Sequence, residues 1–233
     1  FRTILVSDAP FFWNAVLSSV NNAKIDVYRT DKFKDISGYD LYVFDRFTPA
    51  EMPTDGAVWF IEPKSSLAES GFTVQGEVIA GDKGVLQYTN SSASVVKTLL
   101  NGIRKETVYV NKYVKCGLYR NFTTLLSLDG NPMVFTGTNG YGNREVVFSF
   151  GLNDTNFTQR ADFTQLVENL LNYTFPNVVS ETSYLCGDTM TVNVLASFDS
   201  VRVISPLGGV TYLDSSNPVA DYALNEVGAY TIA

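Results

Sequence analysis

ILVSDAP (residues 4–10), followed by FFWNAVL (residues 11–17), decides how this 233-residue chain folds. Ile4, Leu5 and Val6 form an apolar run suited to a strand buried on both faces, the pattern of a parallel sheet. Ser7 or Asp8 can cap a helix, and Pro10 is tolerated in a first helical turn, where backbone N–H groups lack partners. Phe12, Val16 and Val20, with Phe11 and Ala15, then recur near helical spacing. Strand, tight turn and helix together predict an α/β unit, with Asp8 as the helix cap. In such a sheet the turn lies at the carboxyl edge, where ligands usually bind.

Outward from this stretch, KIDVYRT (24–30), GYDLYVFDRF (38–47) and GAVWFIEP (56–63) read as further strands, with Leu41, Tyr42, Val43 and Phe44 as a buried run. Strands separated by crossovers imply a doubly wound, mostly parallel sheet of flavodoxin-like type. The Gly-rich stretch from Gly71 reads as loops with short extended pieces, and SASVVKTLLNGI (92–103) as a helix. ETVYVNKYV (106–114), NFTTLLSLDG (121–130), NPMVFTGT (131–138) and NREVVFSF (143–150) are strands separated by the turn signals DGNP and NGYGN, hence antiparallel hairpins added to the sheet. RADFTQLVENLLNY (160–173) sets Phe163, Leu166, Leu170 and Tyr173 on one helical face. Phe175-Pro176 ends that helix, and all that follows is short alternating strands. Two domains are expected: residues 1–176, α/β, and residues 177–233, a small all-β sandwich.

Composition narrows function more than fold. The net charge is −7 with no Lys/Arg cluster, which argues against nucleic acid and anionic membrane as partners. No apolar run approaches the roughly 20 residues of a membrane helix. Histidine is absent, so Ser-His-Asp and Cys-His pairs and His-ligated zinc are unavailable. Cys116 and Cys186 have no metal-ligand spacing and read as structural.

In this order the pieces resemble a bacterial family: the region that follows the von Willebrand factor A domain in aerotolerance-regulator-type membrane proteins. The resemblance is carried by ILVSDAPFFWNAVL, GYDLYVFDRFTPAEMP, NGYGNREVVFSFGLNDTNFTQRADFTQLVENLLNY and the closing VGAYTIA. It implies a class I glutamine amidotransferase-like α/β domain and an immunoglobulin-like module, set on the extracytoplasmic face and tethered through membrane helices outside this segment. Working amidotransferases carry a G-x-C-x-G elbow and a later His-x-Glu. Here Cys116 lies in VKCGL, with Val114 where the elbow needs Gly, and GLNDTN offers Asn153 and Asp154 in place of histidine. The resemblance therefore implies a fold without its chemistry.

Four carboxylates fall at expected strand ends: Asp8, Asp45, Glu62 and Asp154. Asp8, Asp45 and Glu62 are the candidate ligand cluster for a hard cation or for acid and base work, against a reading in which they cap and solvate loops. TGTNGYGNRE (136–145) lacks the order of a phosphate loop, so turns explain its glycines. The sequons at Asn121, Asn156 and Asn172 would be chance matches in the bacterial protein that the resemblance implies. Of Phe11, Phe12 and Trp13, at least two are expected in the core. The expectation is a non-catalytic scaffold or interaction module without a cofactor, its partners proteins or other domains of the same chain. The alternative is a small-ligand or metal-dependent hydrolytic domain using the strand-end carboxylates.

Overall fold

The computed structural model describes all residues except 20–23, 35, 36, 82, 83, 120, 121, 176, 177, 180, 182, 194–199 and 215–218. Val20, Asn121 and Pro176, each singled out from the sequence, lie outside the described residues. The chain divides into two compact units, Phe1–Thr174 and Phe175–Ala233.

The first unit is built on an eight-stranded sheet. Its strands are β1 (Arg2–Val6), β2 (Lys24–Tyr28), β3 (Leu41–Asp45), β4 (Ala57–Ile61), β6 (Gln87–Tyr88), β8 (Thr123–Leu128), β9 (Asn131–Thr138) and β10 (Arg144–Phe148), ordered β2-β1-β3-β4-β10-β9-β8-β6. The first five in that order run parallel, and β9, β8 and β6 extend the sheet antiparallel. β3 and β4 are buried at every position, as their unbroken apolar runs demand. The β8–β9 hairpin turns at Asp129 (φ 48°) and Gly130 (φ 79°), the two positive φ values that an Asp-Gly pair supplies cheaply.

One face of the sheet carries helices. α1 (Phe11–Ser18) seats Trp13 on Trp59 and Phe148, and Phe163 of α3 (Ala161–Thr174) joins the same aromatic cluster, at centroid distances of 5.4–6.4 Å. Trp59 Nε1 donates to Thr174 Oγ1 at 3.2 Å, closing the end of α3 over the sheet. α2 (Ser94–Leu99) is tied to α3 by Asn169, whose amide donates to the carbonyls of Leu99 and Asn101.

The opposite face is where expectation and structure part. In place of helices it carries an antiparallel ribbon, β5 (Phe72–Ile79) paired with β7 (Lys112–Leu118). Phe72, Val114 and Cys116 of this ribbon pack on Ile4, Val6, Tyr42, Phe44, Phe60 and Phe135. A doubly wound sheet has helices on both faces; among the described residues this one has them on one. The sequence showed residues 72–79 only as short extended pieces because β5 buries little beyond Phe72 and is interrupted at Gly76 (φ 129°), where the register with β7 shifts in a bulge.

Two readings near the amino terminus are corrected. Asp8 does not cap α1: Pro10 takes the capping position two residues further on, and no side chain bonds the helix's first N–H groups. Of the three aromatics only Trp13 is buried, whereas Phe11 and Phe12 are 75% and 44% exposed. The helix is only eight residues long and presents a single narrow stripe, Trp13 and Leu17, to the sheet.

In the second unit the regular elements among the described residues are strands: β11 (Thr189–Asn193) pairs with β14 (Val219–Ala223), and β12 (Ser200–Ile204) lies between β13 (Val210–Asp214) and β15 (Thr231–Ile232). Met190, Val192, Val201, Val203 and Leu224 from both sheets make its core.

Candidate functional site at the carboxyl edge of the sheet

β1, β3, β4 and β10 end side by side, so Ser7, Asp45, Glu62 and the 149–154 segment meet at one edge of the sheet. The chain must turn out of the sheet here without abandoning its ladder. At β3 and β4 it does so through left-handed residues, Arg46 (φ 53°) and Glu62 (φ 47°). Their N–H groups still reach the last carbonyls of the neighbouring strands, Arg46 N to Ile61 O and Glu62 N to Phe148 O, both at 2.8 Å. The left-handed turn costs of order 1 kcal/mol at a non-Gly residue, and the retained ladder bonds offset it. The turn also sends the Glu62 side chain inward, where it is 2% exposed.

Each sequence-selected carboxylate has found a partner. Asp8 accepts from the Thr30 N–H at 3.3 Å and from Thr30 Oγ1 at 2.7 Å, pinning the β1–α1 turn to the segment after β2. Those hydrogen bonds, more than the nearby Arg29 and Arg46 charges, hold its pKa below the usual carboxylate value. Asp45 accepts from Ser7 Oγ at 2.5 Å and lies 3.5 Å from Arg46 Nε. Burial raises the Asp45 pKa, the Ser7 bond and the Arg46 charge oppose the rise, and the Glu62 charge adds to it. Ser7 Oγ also accepts from Ala9 N at 3.0 Å, so Ser7 closes the turn locally while Asp8 ties it to Thr30.

Glu62 is the hub. Its Oε1 lies 2.7 Å from Lys64 Nζ and 3.3 Å from Lys112 Nζ, and Lys112 in turn reaches Glu77 at 3.4 Å and Asp154 at 4.0 Å. The Glu62 charge is the main reason the Lys112 pKa rises. Among the described residues Glu62 Oε2 has no hydrogen-bond partner. It faces Gly151, where an added methyl would stand 2.5 Å from it and 3.2 Å from Asp154 Oδ2. Burial is the main cause of a raised Asp154 pKa.

Asp8 and Asp45 share an open depression of about 380 Å³ with Ala9, Thr30 and Arg46, and Glu62 does not line it. The cluster Asp8, Asp45 and Glu62 is therefore not gathered around one cavity. Among the described residues no group of three or more Asp, Glu or Cys side chains is arranged to hold a metal ion. Lys64 and Lys112, which neutralise Glu62, were not singled out from the sequence. Lys64 sits two positions on in the same turn and was open to inspection, but Lys112 arrives from β7 and only the fold brings it near.

Cys116 sits inside β7 with its thiol 3.6 Å from its own strand's Val114 carbonyl, 4% exposed, and burial pushes its pKa up to about 12. Cys186, expected like Cys116 to be a buried structural residue, is instead exposed, and both cysteines are free. Among the described residues no helix is long and apolar enough to cross a membrane.

No protein-family model and no curated protein matches the chain. Solved structures do. The cytoplasmic protein STM1381 from Salmonella typhimurium LT2 is similar at 10% identity and TM-score 0.56, over 75% of this chain and 99% of that one. The cytoplasmic protein STM3548 from Salmonella typhimurium is similar at 10% identity and TM-score 0.57, over 74% and 98%. PurLQS from Thermotoga maritima is weakly similar to this chain, at 13% identity and TM-score 0.39, over 74% and 98%. What the first two likenesses share with this chain is a fold, a mixed α/β arrangement.

Proposed function

We propose that this chain is a non-catalytic scaffold or protein-interaction region, with a glutamine amidotransferase-like α/β unit that lacks the catalytic machinery and an immunoglobulin-like β unit. In this reading it belongs to a larger membrane-anchored bacterial protein and faces the extracytoplasmic side, a setting that rests on the family resemblance. Two fold relatives are named as cytoplasmic proteins, and likeness at 10% identity does not transfer a compartment.

One observation carries the reading: Cys116, the lone cysteine of the α/β unit, is buried in mid-strand with a thiol pKa near 12. A catalytic thiol needs the opposite environment, partly exposed and electropositive, usually on a turn where a substrate carbonyl can approach. The carboxyl edge supports the same conclusion, since Glu62 is spent on Lys64 and Lys112, Asp45 on Ser7 and Arg46, and Asp8 on Thr30. The test is ammonia release from glutamine by the purified chain and by Cys116→Ala. Both are expected at the level of a protein-free blank; turnover by the parent that Cys116→Ala abolishes would overturn the reading.

A further inference from the structure

The charge of the chain is unevenly held. Residues 175–233 contain six carboxylates against a single cation, Arg202, a net charge of −5 out of −7. The unit they form also contains a cleft of about 600 Å³. Met190 and Leu224, each less than 5% exposed, are its floor. Leu185 and Val227, 77% and 86% exposed, stand at its rim, with Glu181 and Glu226 among the lining residues. The Glu226 carboxylate is held in place by the Leu207 N–H at 2.9 Å.

β15 forms one wall. It pairs with β12, and among the described residues no strand pairs with its other edge. Ala233 exchanges both of its backbone bonds with Arg202. In an antiparallel ladder the bonded and non-bonded positions alternate, so Ile232 directs its N–H and C=O away from β12. Ile232 also lines the cleft. A strand edge unpaired among the described residues, an apolar floor and cleft-lining carboxylates therefore coincide.

We propose that this cleft takes up an extended cationic segment of a protein partner. The segment adds as a strand to the Ile232 edge, lays an apolar side chain over Met190 and Leu224, and places Lys or Arg side chains against Glu181 and Glu226. Backbone bonds supply affinity in this mode of recognition and alternate side chains supply specificity. The inference rests on the interaction-module reading and gives its partner a chemistry. The unit's charge favours a cationic partner over a second copy of the chain, which would bring a unit of the same net −5; it also steers encounter and makes binding sensitive to salt.

The experiment is fluorescence anisotropy on the whole chain, using a labelled peptide that alternates Lys or Arg with Val or Ile. Two controls accompany it: the same peptide with Glu at the basic positions, and one N-methylated at alternate residues to block edge bonds. The basic peptide is expected to bind, more weakly as salt rises, with both controls at least about tenfold weaker. Glu181→Lys should weaken binding by about fivefold and Val227→Asp by about tenfold, with unchanged melting temperatures because both sites are solvent-facing. Equal binding of the acidic peptide, no binding of the basic one, indifference to both substitutions, or a concentration-dependent dimer broken by Val227→Asp would each overturn the proposal. Peptide failure alongside silence toward glutamine sinks this inference alone; glutamine turnover sinks the function reading whatever the peptide does.

Discussion

Glu145 titrates near neutrality inside the sheet, and the stability of the α/β unit should follow it. The residue lies in β10 with no exposed surface, its Oε2 accepting from Gly71 N at 3.0 Å and its Oε1 without a partner among the described residues. Burial pushes its pKa up from 4.5 to about 7, with the Gly71 bond pulling the other way. Below the unfolded value both states are protonated and the residue contributes nothing to pH dependence. Between the two values the unfolded chain releases the proton while the folded one keeps it, so stability falls as pH rises. Above about 7 the loss is complete, and at about 1.4 kcal/mol per pKa unit it amounts to roughly 3 kcal/mol. Glu145→Gln keeps an oxygen for Gly71 and cannot ionise. Its amide N–H₂ would replace the unpartnered oxygen at a cost of about 1–3 kcal/mol that does not vary with pH. The decisive quantity is therefore the change in the variant's melting-temperature difference from the parent between about pH 4 and about pH 8. At ~2–4 °C per kcal/mol for a chain this size, that change should be roughly 6–12 °C in favour of the variant at the higher pH. Calorimetric scans of both proteins across that range read it directly. A difference that stays flat with pH would refute the reasoning, because it would mean Glu145 titrates in the folded chain as it does when unfolded.

Other substitutions test the packing and the edge network. Gly151→Ala drives a methyl to 2.5 Å from Glu62 Oε2, so it should destabilise the unit by about 1–3 kcal/mol in urea titration, and Gly151→Ala combined with Glu62→Ala should recover part of that loss. Glu62→Gln leaves Lys64 and Lys112 facing each other without the carboxylate between them; a loss of about 1–3 kcal/mol is expected, with ammonia release still at the blank level. Trp13→Ala empties the centre of the helix-side aromatic cluster and should cost about 3–5 kcal/mol by the same titration.

The sequence exposed those parts of the fold in which one physical cause dominates. The buried strands β3 and β4 came from unbroken apolar runs, α3 from its single apolar face, and the β8–β9 turn from Asp129-Gly130, where only positive φ fits. The ribbon β5–β7 was hidden because β5 buries little beyond Phe72 and Gly76 interrupts the alternation of Phe72, Val74 and Val78 with Thr73, Gln75 and Glu77 at a bulge, so the stretch carries the glycine signature of a loop. That concealment had a consequence for function. Without the ribbon there was no means of knowing that Lys112 would meet Glu62, whereas Cys116 already read as a structural residue. Asp45 and Glu62 were legible as strand-end carboxylates, but Asp8 was misassigned as a cap because its partner, Thr30, belongs to a different crossover.

The most direct measurement is the reactivity of the two thiols in the native chain at about pH 7.5, followed with a chromogenic disulfide reagent and mass mapping. A thiol whose pKa is near 12 holds on the order of 10⁻⁴ or less of its population as the reactive thiolate at that pH. Cys186 should therefore react at the rate of an ordinary exposed thiol, and Cys116 only once denaturant opens the sheet. Rapid native modification of Cys116, accompanied by glutamine turnover that the modification abolishes, would contradict the claim that this fold carries no catalytic thiol.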